Sequence, residues 1–314
     1  MRTIQLTYPH TLGLDELPRM VSAIGFFDGV HKGHQKVIET AVEEAKQKGM
    51  ESAVITFHPH PSVVLKKGTQ HVKYITPLRE KKKILQGLGV DRLFIIEFNK
   101  ELSSLSPQAF IDHFIIGLNI KHLVAGFDYS YGHKGQGNMG NLHEHTRGMF
   151  TYTTVDKVML NEEKISSTHI RNLLKAGNVQ GVHTLLGRPL AFYGTVVKGD
   201  HRGREIGYPT ANLRINTDAL LPKIGVYAVR ICHNNEFYDG MASIGTNPTF
   251  TADRKDLSVE VHIFDYDNNL YGETLQIEWH KYIRDEEKFD GAATLINQMA
   301  TDEKNIRAFF SEKG

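Results

Sequence analysis

Two textures of apolar and polar positions divide the chain. In the first half, short apolar runs alternate with stretches of helical spacing. One apolar strand closes over 22–25, and 34–48 follows with Val37, Ile38, Ala41, Val42 and Ala45 on one helical face, capped by Gly49. Ala53-Val54-Ile55-Thr56-Phe57 has the run of a short buried strand, stopped by His58-Pro59-His60-Pro61. A basic amphipathic helix over 77–88, a strand over 92–98, a helix from Ser106-Pro107 to about 117 and a strand over 122–126 continue the rhythm. A glycine-rich loop then runs to Asn141. Strands at this spacing with helices between predict a doubly wound parallel sheet, covered on both faces. Right-handed crossovers place the strand C-termini on one edge, where ligands bind.

Ile165-Ser166-Ser167-Thr168-His169-Ile170-Arg171 opens another helix, with Ile170, Leu173 and Leu174 on one face. A short helix over 179–186 follows, and Gly187-Arg188-Pro189 has the composition of a linker. Beyond it the pattern changes. The segments 192–198, 225–232, 237–244, 257–264 and 274–282 are strand-like, several strictly alternating, with Gly, Asn, Asp and Pro between them. That predicts an antiparallel β-barrel, with closing helices over 290–310. The chain is thus expected to fold as α/β with domains at 1–186 and 187–314.

Composition narrows the function classes. The 314 residues carry 40% apolar and 23% charged side chains, an ordinary globular balance. The formal charge of +1 calls for neither nucleic acid nor an anionic membrane as partner. Cys232 is the one cysteine, so an internal disulfide and a cysteine-built zinc site are both excluded. No long apolar core marks residues 1–10 and no run approaches a membrane span, so a cytoplasmic location is expected. Oligomeric state is left open.

The candidate chemistry concentrates at joins between elements. Gly25-Phe26-Phe27-Asp28-Gly29-Val30-His31-Lys32-Gly33-His34 lies between a strand and a helix, where exposed amides and a positive helix end suit a phosphate. His31 and His34 stand three apart; imidazole N–H groups can bond an oxyanion, and a zinc pair or a plain helix start are the alternatives. His58, Pro59, His60 and Pro61 sit just past a strand end, either as part of a ligand edge or as a rigid loop. Gly135-Gln136-Gly137-Asn138-Met139-Gly140 matches the dinucleotide spacing but does not follow a strand directly, so it is read as a flexible loop over a ligand. Ser166, Ser167 and Thr168 with Arg171 one turn on exceed what capping needs and suit a polyphosphate. Near the start of the second half, Gly199, Arg202, Gly203, Arg204 and Gly207 precede Pro209-Thr210-Ala211-Asn212. The Thr210 hydroxyl and the Asn212 amide oxygen are hard ligands for Mg²⁺, the alternative being a solvated basic loop. Glu260 falls on the opposite strand face from Leu257, Val259, Val261 and Ile263. It is either a solvent-facing acid or a general base for a hydroxyl.

Taken together, these motifs resemble the bacterial bifunctional FAD synthetase family, which joins riboflavin kinase to FMN adenylyltransferase. The resemblance covers nearly the whole chain. The 25–34 and 165–171 stretches look like the two nucleotidyltransferase signatures. Gly126-Phe127-Asp128-Tyr129-Ser130-Tyr131-Gly132 and His58-Pro59-His60-Pro61 are similar to the flavin branch. Gly207 to Asn212, Val259-Glu260-Val261-His262 and Leu270-Tyr271-Gly272-Glu273 look like the kinase, and 284–289 resembles its flavin-contacting loop. The resemblance implies that Gly25, Phe27, Asp28, His31, His34, Asp128, Ser167, Thr168 and Arg171 handle ATP in the first domain, with His31, His34 and Arg171 catalytic. It implies flavin contacts at Phe57, His58, Pro59, His60, Pro61, Arg284 and Phe289. In the kinase domain it implies ATP contacts at Gly199, Arg204, Gly207, Pro209, Thr210 and Asn212, Mg²⁺ at Thr210 and Asn212, and Glu260 as base. ATP would be co-substrate, riboflavin and FMN substrates, and FMN and FAD products. His58 stands where many members of the family carry an acidic residue. The alternative is a nucleotidyltransferase for another phosphate acceptor, fused to a non-catalytic flavin-binding barrel.

Overall fold

The structure is a computed structural model, and it describes residues 1–65, 72–160, 162–198, 207–246 and 257–312. The chain forms two compact units: Met1–Tyr74 with Lys81–Ser166, and Ile75–Glu80 with Ser167–Gly314.

The first unit is built on strands β1 (Arg2–Leu6), β2 (Met20–Ile24), β3 (Glu51–His58), β4 (Arg92–Glu97), β5 (Ile120–Gly126) and β8 (Thr151–Val155). Ser130–Tyr131 and Gly137–Asn138, β6 and β7, form a separate two-stranded ladder. The sheet runs β1-β4-β3-β2-β5-β8, every pair parallel. Helix α1 (Lys32–Lys48) connects β2 to β3 and buries Val37, Ile38, Ala41, Val42 and Ala45, the face its spacing predicts. Gly49 ends it in the left-handed region at φ 61°. From β2 the chain winds one way through β3 and β4 and resumes on the other side with β5. The loop after β2 therefore lies at the switch point of the sheet, where a crevice opens between diverging connections. The core joins Met20, Ile24, Ile55, Phe94 and Ile96 of the strands to Phe110 and Phe114. Phe110 belongs to the turn of helix that Pro107 begins and Ser106 caps.

The edge strand β1 is not expected from the pattern. Its residues, Arg-Thr-Ile-Gln-Leu, bury only Leu6, so no apolar run marks it. The glycine-rich loop is also not free. Tyr131 and Met139 are buried in the main core, and Asn138 and Asn141 tie the loop backbone together at 2.8–3.3 Å.

The long stretch of the second unit starts with two helices that pack on one another, over Ser167–Lys175 and Val179–Leu186. Gly187 caps the second with φ 73°. A closed barrel follows, in the order β11-β12-β15-β14-β13-β16. Its strands are β11 (Leu190–Val197), β12 (Ala211–Ile215), β13 (Gly225–His233), β14 (Glu236–Thr246), β15 (Leu257–Ile263) and β16 (Thr274–Arg284); Met159–Leu160 and Glu163–Lys164, β9 and β10, are a small ladder of the first unit. Burial alternates along β11 and β15, as a barrel wall requires. Strand β12 is the element that sequence reading absorbs into a loop. The C-terminal helix, Ala292–Ser311, packs Ile306, Phe309 and Phe310 against Val226, Ala228 and Met241 of the barrel. The Gly187-Arg188-Pro189 stretch is packed: Arg188 donates to the Leu186 carbonyl at 3.2 Å and the Thr76 hydroxyl at 3.5 Å.

Candidate functional site

In the first unit the turn after β2 is tightly wound. Phe27, Gly29 and Val30 take φ of 52°, 89° and 43°. For Phe27 and Val30 such a backbone costs about 1–2 kcal/mol each. Both side chains are buried, at 3% and 0% exposure, so the core holds the strain in place. Gly25 admits the fold because a Cβ there would sit 2.9 Å from the Phe27 ring. His31 is the N-cap of α1: its Nδ1 accepts the His34 N–H at 3.2 Å. A nitrogen that accepts is unprotonated, so a neutral His31 carries its proton on Nε2. The two imidazoles stack with centroids 3.6 Å apart and planes at 18°. Stacked rings do not converge two nitrogens on one ion, and the described residues hold no cluster of three or more His, Cys, Asp or Glu suited to a metal. His34 is held well below the ordinary imidazole range, first by burial and then by His31, Lys81 and Lys164. Its Nδ1 is buried without a hydrogen-bond partner.

The neighbouring strand ends complete this edge of the sheet. Phe57 packs on Phe98 and Phe110 at the end of β3. His58 lies beside Tyr74, Pro59 follows it in the cis form, and Pro61 begins a short helix. The His60 N–H donates to the Tyr74 hydroxyl at 3.0 Å, and its ring stands edge-on to Phe26 at 4.5 Å. The structure thus brings Phe26 of the signature loop and His60 together. Asp28 is buried at 4% exposure, whereas Asp128, past the end of β5, is exposed and paired with Lys164 at 2.7 Å.

Sequence reasoning missed Lys81. It sits on the helix Leu78–Gly87, whose basic composition reads as a solvated face. The side chain is only 3% exposed. Its Nζ donates to the Phe26 carbonyl at 2.7 Å, with the Thr56 hydroxyl at 3.5 Å. The available signal was helical spacing: Lys81 stands four residues before buried Leu85, on the core face.

In the second unit, Ser167 begins its helix and Arg171 is one turn on, with Ile170 and Leu174 buried behind. Among the kinase-type candidates, Gly199 and Arg204 lie outside the described residues. Gly207 has φ 84°, and Pro209 accepts a hydrogen bond from His262 Nδ1 at 2.8 Å through its carbonyl. Asn212 on β12 is the cross-strand partner of Glu260 on β15. The Thr210 hydroxyl donates to Glu260 Oε2 at 3.5 Å. Glu260 is half-buried on the face opposite buried Val259, Val261 and Ile263. An open cleft lined by Val196, Pro209, Thr210, Val261, Tyr266 and Tyr271 adjoins Thr210. Three oxygen-bearing side chains therefore converge at the start of β12. Arg284 donates to Asp302 at 2.9 Å, stacks on Phe289 at 5.6 Å and caps the Asp285 carbonyl at 3.0 Å.

Two family models of flavin-cofactor enzymes match the chain in tandem: FAD synthetase over residues 14–169 and riboflavin kinase over 186–310. The chain belongs to the bifunctional riboflavin kinase/FMN adenylyltransferase family. Curated relatives of that description include proteins from Listeria monocytogenes, 49% identical, and Bacillus subtilis, 45% identical, each matched over 99% of both chains. The Escherichia coli K12 relative is 35% identical over 96% of both chains. A crystal structure titled as a macrolide-efflux protein from Streptococcus pneumoniae has the same fold, with a TM-score of 0.88, 35% identity and coverage of 98% of this chain and 99% of that one. Among the described residues of this chain no helix is long and apolar enough to cross a membrane.

Proposed function

We propose that the second unit phosphorylates riboflavin to FMN and the first adenylylates FMN to FAD, each step consuming one ATP. The observation that carries this reading is the tandem match of two flavin-enzyme families, whose signature residues fall at strand ends and helix starts of the two units.

In the kinase step Glu260 takes the proton from the ribityl 5′-hydroxyl. That oxygen attacks the γ-phosphorus, and ADP leaves. The Thr210 hydroxyl steadies one carboxylate oxygen at 3.5 Å, which supports a fixed aim for the base. Thr210 and Asn212 supply hard oxygens beside Glu260 and fit Mg²⁺, which when bound neutralises charge on the transferring phosphoryl group.

In the adenylyl step an FMN phosphate oxygen attacks the α-phosphorus and pyrophosphate leaves. The nucleophile is already an anion, so no base is required. His31 and His34 act by N–H donation to phosphate oxygens, His34 as a ring that burial keeps neutral, and the wound turn at Phe27 to Val30 aims backbone amides at them. The segment from Phe57 to Pro61 is the proposed flavin side, supported by the aromatic packing of His60 on Phe26.

Incubation with ATP and riboflavin, with FMN and FAD resolved by chromatography, tests the reading. Glu260→Gln should lower FMN formation by about 10²-fold, the scale of general-base catalysis, and leave conversion of added FMN to FAD intact. His31→Ala should do the reverse. Loss of both activities in either variant argues against separate chemistry.

A further inference from the structure

Lys81 is a buried cation that the proposed chemistry does not use. Burial of an ammonium is unfavourable unless its protons are bonded, and an apolar side chain would fill the same core position without that cost. Its nearest bonded acceptor is not a carboxylate but a main-chain carbonyl, that of Phe26 in the signature turn. The same carbonyl also accepts from the Thr56 hydroxyl at 3.0 Å, so both of its lone pairs are used. The Lys81 ammonium lies 4.8 Å from the centre of the Phe26 ring, and that ring packs on His60. One side chain thus fixes both the peptide and the ring of Phe26.

The peptide plane carries the consequence. In a trans peptide the carbonyl and the following N–H point in opposite directions. A Phe26 carbonyl held by these two donors turns the Phe27 N–H away from Lys81. Phe27 then takes its left-handed φ of 52°, which other contacts of the turn must keep from relaxing. We propose that Lys81 is a positioning residue for adenylyl transfer: by pinning the Phe26 carbonyl it aims the Phe27 amide and the turn that follows at the phosphates of ATP. Burial pulls its pKa down to about 8, partly offset by Asp28, so it stays protonated at pH 7 by roughly ten to one. This inference rests on the reading of 25–34 as the adenylyl-transfer loop.

The test is Lys81→Met in the full chain, with both activities measured on the same preparation. Met keeps the volume and removes the donors. FAD formation from FMN should lose at least about 10-fold in kcat, the order of one misaimed amide donor, while KM for FMN moves less than about threefold. Riboflavin phosphorylation is the internal control and should stay within about twofold. Unchanged adenylylation, or equal loss of both activities, overturns the proposal. Thr56→Val removes the other donor to the same carbonyl and is the second variant should Lys81→Met not fold. It should lower adenylylation at least about threefold with kinase activity intact, and an unaffected rate again overturns the proposal. His31→Ala separates the two levels: if that variant still makes FAD, the reading of the loop fails. If it does not and Lys81→Met is normal, only the role of Lys81 fails.

Discussion

Burial keeps the His34 imidazole uncharged, and His31, Lys81 and Lys164 push the same way. This has a sign for stability. In the unfolded chain the ring titrates near its ordinary value of 6.5, and in the folded chain well below it. Between those values the unfolded chain binds a proton that the folded chain refuses. The stabilisation from a neutral His34 is therefore complete above about pH 7 and is lost as pH falls through 6.5 toward 5. His10 and His122 are lowered too, mainly by burial, and add to the same slope. Urea midpoints followed by far-ultraviolet circular dichroism should fall on acidification from pH 7 to 5, and His34→Gln should flatten part of that fall. An identical slope in the variant would mean that His34 does not carry the effect. The same neutrality bears on catalysis. In the proposed adenylyl site, a His34 ring that does not charge near pH 7 would add no ionisation step to the rate of FAD formation.

At the scale of elements, the helix over 179–186 depends on its cap. Asn178 accepts the Gly181 N–H at 2.8 Å through its side chain, and the helix buries Val179, Val182, Leu185 and Leu186. Asn178→Ala should lower the stability of the second unit by about 1 kcal/mol, the usual loss for such a cap. Trp279, the one tryptophan, is fully buried in the barrel and gives a fluorescence signal for that unit. A fluorescence-detected urea transition unchanged by the substitution would contradict the cap. Elements with a strong period were legible in the sequence. The buried face of α1, the parity of Glu260 and the alternating barrel strands follow from side-chain spacing alone. What was not legible had weak or borrowed patterns. Strand β1 is an edge with mixed polarity, and β12 carries Thr-Ala-Asn chemistry that masks its pairing with β11 and β15. In the candidate site, the residue types and their strand-end positions could be read. The stacking of His31 on His34 and the carbonyl held by Lys81 could not, because both depend on a backbone turn that no local propensity predicts. Lys81 in particular has the composition of a surface and the spacing of a core.

At the scale of the molecule, the second unit is not a continuous stretch of chain. It includes Ile75–Glu80 as well as everything from Ser167 on. The reason is visible in the barrel wall. Strand β12 ends at Ile215, opposite Gly194, so Tyr193 on β11 has no β12 partner. Glu80 takes that place: its Oε1 accepts the Tyr193 N–H at 3.1 Å, and the carboxylate is only 7% exposed. Arg79 lies 4.2 Å from the Tyr193 ring centre, and Thr76 meets Arg188. A barrel expressed from residue 187 onward would lose these contacts together with the helices that precede it. The point can be isolated in the intact chain. Glu80→Ala leaves a strand N–H without its acceptor, which costs about 1–3 kcal/mol where water cannot reach it. The Trp279 fluorescence transition in urea should move to lower denaturant by that amount. Glu80→Gln, which keeps an acceptor oxygen, should move it less. Equal shifts for the two would mean that the carboxylate charge, and not the bond to Tyr193, secures the segment. No shift in either would mean that the barrel closes at β11 without residues 75–80.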